Sequence, residues 1–292
     1  MCRIVYVYVA RGGGDLKLAP QGFQSYCYFN DEYPKESNQL LTTKAGLLQK
    51  KSLNHRFGFT LAEVLITLGI IGVVAAMTMP TLIANYQKKQ TIVQLKKAYS
   101  VLNQAYQNSI LDNGDVETWD WENISNADNF GQRYILPYLK GATKIKYSKI
   151  QWKSLDGTYD NSGAGENKSP YYVLPDGMSF RFLGLNFVNN SANRTKTHLK
   201  INIDINGNKL PNQYGRDVFV FSIFPFASQS KGKVVPGTND QCGGGAIHNQ
   251  LSREQLLTGG CATCKKDHTG FGYGCAAVII KDGWEIKDDY PW

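Results

Sequence analysis

From Phe59 to Ile83 the chain reads FTLAEVLITLGIIGVVAAMTMPTLI, 25 residues with a single charged side chain, Glu63. A helix rising ~1.5 Å per residue needs about 20 apolar residues to cross a bilayer core, so this segment is long enough to span one. Apart from Thr67, Val64 to Ala76 is apolar on every face and lacks the polar stripe of a surface helix. Lys44, Lys50, Lys51, His55 and Arg56 precede it, with no acid between Asn38 and Phe57. Basic flanks stay cytoplasmic, which predicts a single-pass inner-membrane protein with its N-terminus inside and its C-terminal bulk exported. A removable secretory signal shares the basic start and apolar middle, but Ala75-Ala76-Met77 is a poor small-residue cleavage site.

Glu63 is out of place at the head of such a run. A carboxylate inside a bilayer costs on the order of a few kcal/mol unless it is partnered. No Lys or Arg follows it until Lys88. If the chain were cut before Phe59, a new α-amino group would lie one helical turn from Glu63. On a neighbouring subunit, that group would be a counter-ion.

The stretch Gly58-Phe59-Thr60-Leu61-Ala62-Glu63-Val64 resembles the prepilin cleavage and methylation motif of type IV pilins and type II secretion pseudopilins. The resemblance implies that prepilin peptidase cuts after Gly58 and methylates Phe59. It further implies that Glu63 aligns subunits as they join a homo- or heteropolymer, and that an assembly ATPase and platform protein drive polymerisation. Pro80 falls where pilin helices kink or melt. The likeness is strongest over residues 56–110. Family leaders are short, whereas 58 residues precede this cut. The expectation is a leader or prepeptide over 1–58, with a translation start placed too far upstream; the competing reading is a genuine cytoplasmic extension.

Past Ile83 the helical pattern turns amphipathic. Ile92, Leu95, Tyr99, Leu102 and Tyr106 recur at steps of three and four, with Ala98 and Ala105 on the same face. Asn113-Gly114 is a good stop. The prediction is one helix of roughly 80 Å from Phe59 to Leu111, at ~1.5 Å per residue. Its membrane half covers 59–83 and its amphipathic stalk covers 84–112.

Beyond the stalk, an exported head over 113–292 reads as α+β: the long helix packed on an antiparallel sheet, pilin-like. Asn129–Leu139 reads as a short helix. Tyr171–Leu174 and Met178–Phe182 read as a hairpin closed by Pro175-Asp176-Gly177. Leu199–Ile205, Asp217–Phe224 and Ala276–Ile280 read as strands, the last turning at Asp282-Gly283 into Trp284-Glu285-Ile286. Seventeen Tyr, 13 Phe and five Trp suit a core of sheet character.

The net charge of +8 splits evenly at Gly58, +4 before it and +4 over the 234 residues after. No basic block stands out, so nucleic acid is not inferred as a partner. Cys242, Cys261, Cys264 and Cys275 lie within 34 residues of the exported part, where oxidation favours two disulfides over a zinc site. Three pairings are open. Asp204, Asn206, Asn208 and Asp217 place oxygens around a glycine turn, a short ligand set for calcium or a hydrogen-bonded hairpin. Some pseudopilins bind calcium in such loops. His198, His248 and His268 fit no hydrolytic motif. Asp288-Asp289 reads as a solvated pair, and Trp284, Tyr290 and Trp292 as packing aromatics. A non-enzymatic structural subunit is the leading expectation; a membrane-tethered binding or hydrolytic domain with a borrowed export signal is the alternative.

Overall fold

The computed structural model describes residues 59–292 except 125, 146–151, 159–169, 189–193, 208, 229–231, 239–246, 261–262 and 267–270. Its first element, α1 (Leu61–Asn113), is a single helix of 53 residues. Thr60 starts it: its hydroxyl accepts from the Glu63 N–H, and the Glu63 side chain reaches back to the Thr60 N–H. This reciprocal capping box satisfies two amides that a helix start leaves orphaned. Gly114 ends it with φ at 77°, a conformation that side chains with a Cβ rarely adopt. The helix runs on through Pro80, which has no N–H to donate to the carbonyl four residues back.

Helix α1 has two halves of opposite character. From Leu61 to Gln90 nearly every side chain is exposed, including Leu65, Ile66, Ile70, Ile71, Val74 and Leu82. From Thr91 onward a stripe is buried: Thr91, Leu95, Ala98, Leu102, Ala105, Tyr106 and Ser109. Ile92 and Tyr99 from the predicted stripe are only partly buried and pack at its margin.

The stripe lies against a six-stranded sheet in strand order β1-β2-β3-β4-β5-β6, every neighbouring pair antiparallel. Its strands are β1 (Thr143–Ile145), β2 (Tyr171–Val173), β3 (Ser179–Asn186), β4 (His198–Asp204), β5 (Val218–Ile223) and β6 (Val235–Pro236). Leu199, Ile201 and Ile203 of β4 join the stalk core together with Phe180, Phe182, Phe219 and Phe221. The β2–β3 turn falls where the sequence places it, with the Leu174 N–H bonded to the Met178 carbonyl. A second apolar cluster of Trp152, Tyr171, Tyr214, Val218, Val220 and Tyr273 forms beside the first. That is why all six residues of β5 are buried and strict alternation disappears there.

Helix α2 (Ala127–Tyr134) is shorter than predicted, with Leu136–Tyr138 continuing as a 3-10 turn. Gly131 lets it approach the sheet: a methyl group there would collide with the Phe182 ring. A third helix, α3 (Arg253–Thr258), carries its own capping box from Ser252 to Gln255.

One expectation fails here. The run Ala276–Ile280 is not a strand but part of α4 (Cys275–Lys281). Cys275 to Ile279 are buried, and a short apolar run buried on all sides has the same pattern as helix or strand. Trp284–Ile286 pairs with no described strand. It follows α4 after a turn in which the Trp284 N–H bonds the Ile279 carbonyl.

Fixed anchors hold the C-terminal segment. Cys264 and Cys275 form a disulfide, so neither is free for a metal. Arg253 clasps both Asp289 carboxylate oxygens (2.7 and 2.6 Å) and Asp282 (2.6 Å). Asp289 is therefore an ion-pair partner as well as a solvated group, and Arg253 holds its carboxyl below the usual range. Trp284 packs on Tyr99 of α1 at 5.5 Å between ring centroids, and the Tyr290 hydroxyl donates to the Gly215 carbonyl (2.5 Å). The tail aromatics pack on the stalk and on the β4–β5 connection.

Candidate functional site

The first candidate is the start of α1. Phe59 is 88% exposed at its N-terminal edge, and Gly58, the expected cut site, lies outside the described residues. The Glu63 carboxylate accepts from the Thr60 N–H and from the Thr60 hydroxyl, both at 2.8 Å through Oε2. The partner is neutral, not the cation that the charge of Glu63 leads one to expect. The signal was present, since Thr-x-x-Glu before an apolar run is the capping-box pattern. Two donors on one oxygen satisfy the carboxylate without neutralising it, and no basic side chain among the described residues pairs with it, so a nearby amine still has something to neutralise.

The second candidate is the connection from β4 to β5. Asp204, at the end of β4, and Asp217, just before β5, are buried side by side at 0% and 3% exposure. Asp217 is fully engaged. It accepts from the Asn212 N–H (2.7 Å), the Gln213 N–H (2.6 Å) and the Asn206 amide (3.2 Å). Asp204 accepts from the Asn206 N–H (3.1 Å). With its amide nitrogen turned toward them, Asn212 donates to Asp204 Oδ2 (3.3 Å) and to the Lys209 carbonyl (3.1 Å).

Burial, and then the charge on Asp217, push the Asp204 carboxyl up to about 8. Burial also raises Asp217, opposed by the main-chain N–H groups of Gln213 and Asn212. Of the four oxygens expected around calcium, the fold brings Asp204, Asn206 and Asp217 together, while Asn208 lies outside the described residues. Asp204 Oδ2, the Asn212 amide and the Lys209 carbonyl converge on one spot where a cation would replace the amide bonds. This falls short of the six to eight oxygens calcium takes, so water would complete the shell. Among the described residues, no group of three or more His, Cys, Asp or Glu side chains is placed to hold a metal.

The histidines form a third cluster that spacing did not disclose. His198 and His248 are buried and linked through Thr238, whose hydroxyl meets His198 Nε2 at 3.2 Å. The Thr238 N–H in turn donates to His248 Nδ1 at 3.3 Å. Burial pushes the His198 imidazole down to about 4, so it is neutral at ordinary pH. Its ring stacks on Phe224 at 5.1 Å and its Nδ1 is bonded to the Lys196 carbonyl. These contacts fix a loop against a sheet end. His268 lies outside the described residues, as do Cys242 and Cys261.

Only one described helix, α1, is long and apolar enough to cross a membrane by length and composition. Its start coincides with a sequence signature. Residues 53–79 match the prokaryotic N-terminal methylation motif, the prepilin-type signal of type IV pilins and pseudopilins. With the long helix and antiparallel sheet, this makes the chain a pilin-like α+β protein carrying a pilin-type export and assembly signal. Residues 81–292 match a family of unknown function, DUF6613, and the chain belongs to that family. No curated protein and no solved structure matches it.

Proposed function

We propose that this protein is a structural subunit of a type II secretion pseudopilus or a type IV pilus-like fibre. The observation that carries the reading is a single helix that begins at the methylation motif, runs apolar to Ala84 and exposed to Gln90, and then becomes the spine of the head. Prepilin peptidase cuts after Gly58 and methylates Phe59, leaving a leader of 1–58. The helix over 59–83 holds the subunit in the inner membrane until neighbouring helices replace lipid around it. The head over 113–292 stays on the exported side.

Glu63 supplies the selectivity of addition. In the isolated chain Thr60 satisfies the carboxylate without neutralising it. The methylated amine of an adjacent subunit brings the missing charge, so a correctly staggered neighbour is favoured over lipid. Pro80 marks the point where the helix yields during packing, because one main-chain bond is already absent there. The loop at Asp204 and Asp217 is a hydrogen-bonded closing staple of the head, with calcium in place of the Asn212 amide as the alternative use of the same oxygens.

The test is the mass and N-terminal residue of the mature protein from membranes of a host with its prepilin peptidase. N-methylated Phe59 is expected. A mature chain starting near Met77, or one left uncut, would remove the fibre reading.

A further inference from the structure

The height of the head above the bilayer follows from α1. Tyr86 is 67% exposed and is the first aromatic side chain after the apolar run, a natural residue for the lipid–water interface. The head begins at Thr91, whose hydroxyl donates to the Arg216 carbonyl (3.3 Å). Thr91 is five residues beyond Tyr86, or roughly 7–8 Å at 1.5 Å per residue. The headgroup layer on one side of a bilayer is about 5–8 Å thick, from the difference between total and hydrocarbon thickness. The underside of the head is therefore level with lipid headgroups.

That underside is the β4–β5 connection. At the opposite end of the same strands, the Val234 N–H donates to Asn103 and Gly232 accepts from Gln107, so β5 climbs along the stalk. The low end carries a distinctive set of groups. Leu210 is a large apolar side chain left 80% exposed in the middle of the connection. Lys209 beside it is exposed, and Lys89 is exposed on the helix just below. The Arg216 guanidinium lies over the Trp292 ring at 5.1 Å, a cation and an indole together at the same level. The acids of this connection, Asp204 and Asp217, are buried, and Asp176 of the neighbouring turn is paired with Lys97 (2.7 Å). The exposed groups of this face are the cations Lys89 and Lys209 around the apolar tip of Leu210; Arg216 and Trp292 beside them are half-buried, and the Trp292 main-chain oxygen is bonded to Lys266.

We infer that this face, formed by Lys89, Lys209, Leu210, Arg216 and Trp292, docks on an anionic bilayer surface, with Leu210 inserted among the headgroups. The inference rests on α1 crossing the membrane as proposed above. Basic side chains are attracted to an anionic surface within a Debye length of it, and an indole is at home in the interface. Docking holds the head against its own anchor until the helix leaves lipid for the fibre.

The experiment uses the full chain reconstituted in phosphatidylcholine vesicles with or without phosphatidylglycerol, the lipids carrying a nitroxide quencher. An environment-sensitive fluorescent amino acid is placed in turn at positions 71, 111 and 210. Position 71 lies in the span; position 111, 81% exposed like 210, lies at the far end of the stalk. Docking predicts strong quenching at 71, clear quenching at 210 with phosphatidylglycerol, and none at 111. Lys89→Glu with Lys209→Glu should abolish the signal at 210 and leave 71 unchanged, with near-ultraviolet dichroism confirming a folded head. A probe at 210 as free of quencher as the one at 111, while 71 is quenched, would overturn docking alone. An unquenched 71 would remove the membrane span and docking with it.

Discussion

The two halves of α1 make the most instructive comparison in the molecule. Both are helical and apolar, and they are continuous in sequence. Below Thr91 the apolar residues surround the helix and none of the large ones is buried; above it they narrow to a stripe covered by β4 and β5. What separates them is where polar side chains occur: absent from most of 64–76, and regularly placed at Lys88, Gln94, Lys96, Lys97, Asn103 and Gln107. The lower half is written for a solvent that offers no hydrogen bonds, the upper half for a partner on one side and water on the other.

Four predictions test that division. The largest effect belongs to the junction with the leader: Gly58→Leu should block processing, leaving the full-length precursor in the membrane on a denaturing gel. Next, Glu63→Ala should be cut and folded normally yet fail to assemble. Sheared-fibre yield from cells checks this, and a wild-type yield would remove Glu63 from the assembly role. In the upper half, Leu102→Ala should destabilise the head by about 2–5 kcal/mol, the usual cost of truncating a buried leucine. The same change at Leu68, 60% exposed, should leave thermal unfolding of the head unmoved.

The smallest effect concerns pH and lies wholly in the head. Asp204 has a folded value near 8, raised from 3.8, so its contribution is present when protonated and is lost as pH rises through about 8. His198 has the opposite sign. Its folded value near 4 lies below the ordinary 6.5, so its contribution holds above 6.5 and is lost as pH falls through 4. Between pH 6.5 and 8 the histidine no longer changes. The melting temperature of the wild type should fall across that window, and that of Asp204→Asn should fall less. Calcium added at pH 8 should raise the wild-type value, since a cation favours the ionised pair, and leave the variant unmoved. If neither shifts, the loop is a staple alone.

What was legible from sequence was whatever depends on near neighbours. The motif at Gly58 to Glu63, the length of α1, its stop at Asn113-Gly114 and the β2–β3 turn all arise from residues within a few positions of one another. Strands β1 and β6 went unseen because three and two residues carry no period; they exist only through their pairing with β2 and β5. Helix α4 was misread because it is buried on every face and no polar side remained to reveal its turn. The His198–Thr238–His248 link joins residues 40 positions apart, a distance over which spacing says nothing. Thr60 was a different failure. Its pattern is local and readable, but a lone carboxylate in an apolar run points first to a charged partner and not to a hydroxyl.

The stalk is also a mechanical joint. The head grips α1 from Thr91 to Ser109, and few polar contacts point across that seam: Thr91 to the Arg216 carbonyl, Lys97 to Asp176, Asn103 to Val234 and Gln107 to Gly232. They are spaced along the axis like rungs, with smooth apolar packing between. Tension pulling on the helix end would load all of these rungs in parallel, as shear, and none would open alone. A force peeling the head sideways would meet them one at a time. The joint is strong along the shaft and weak across it.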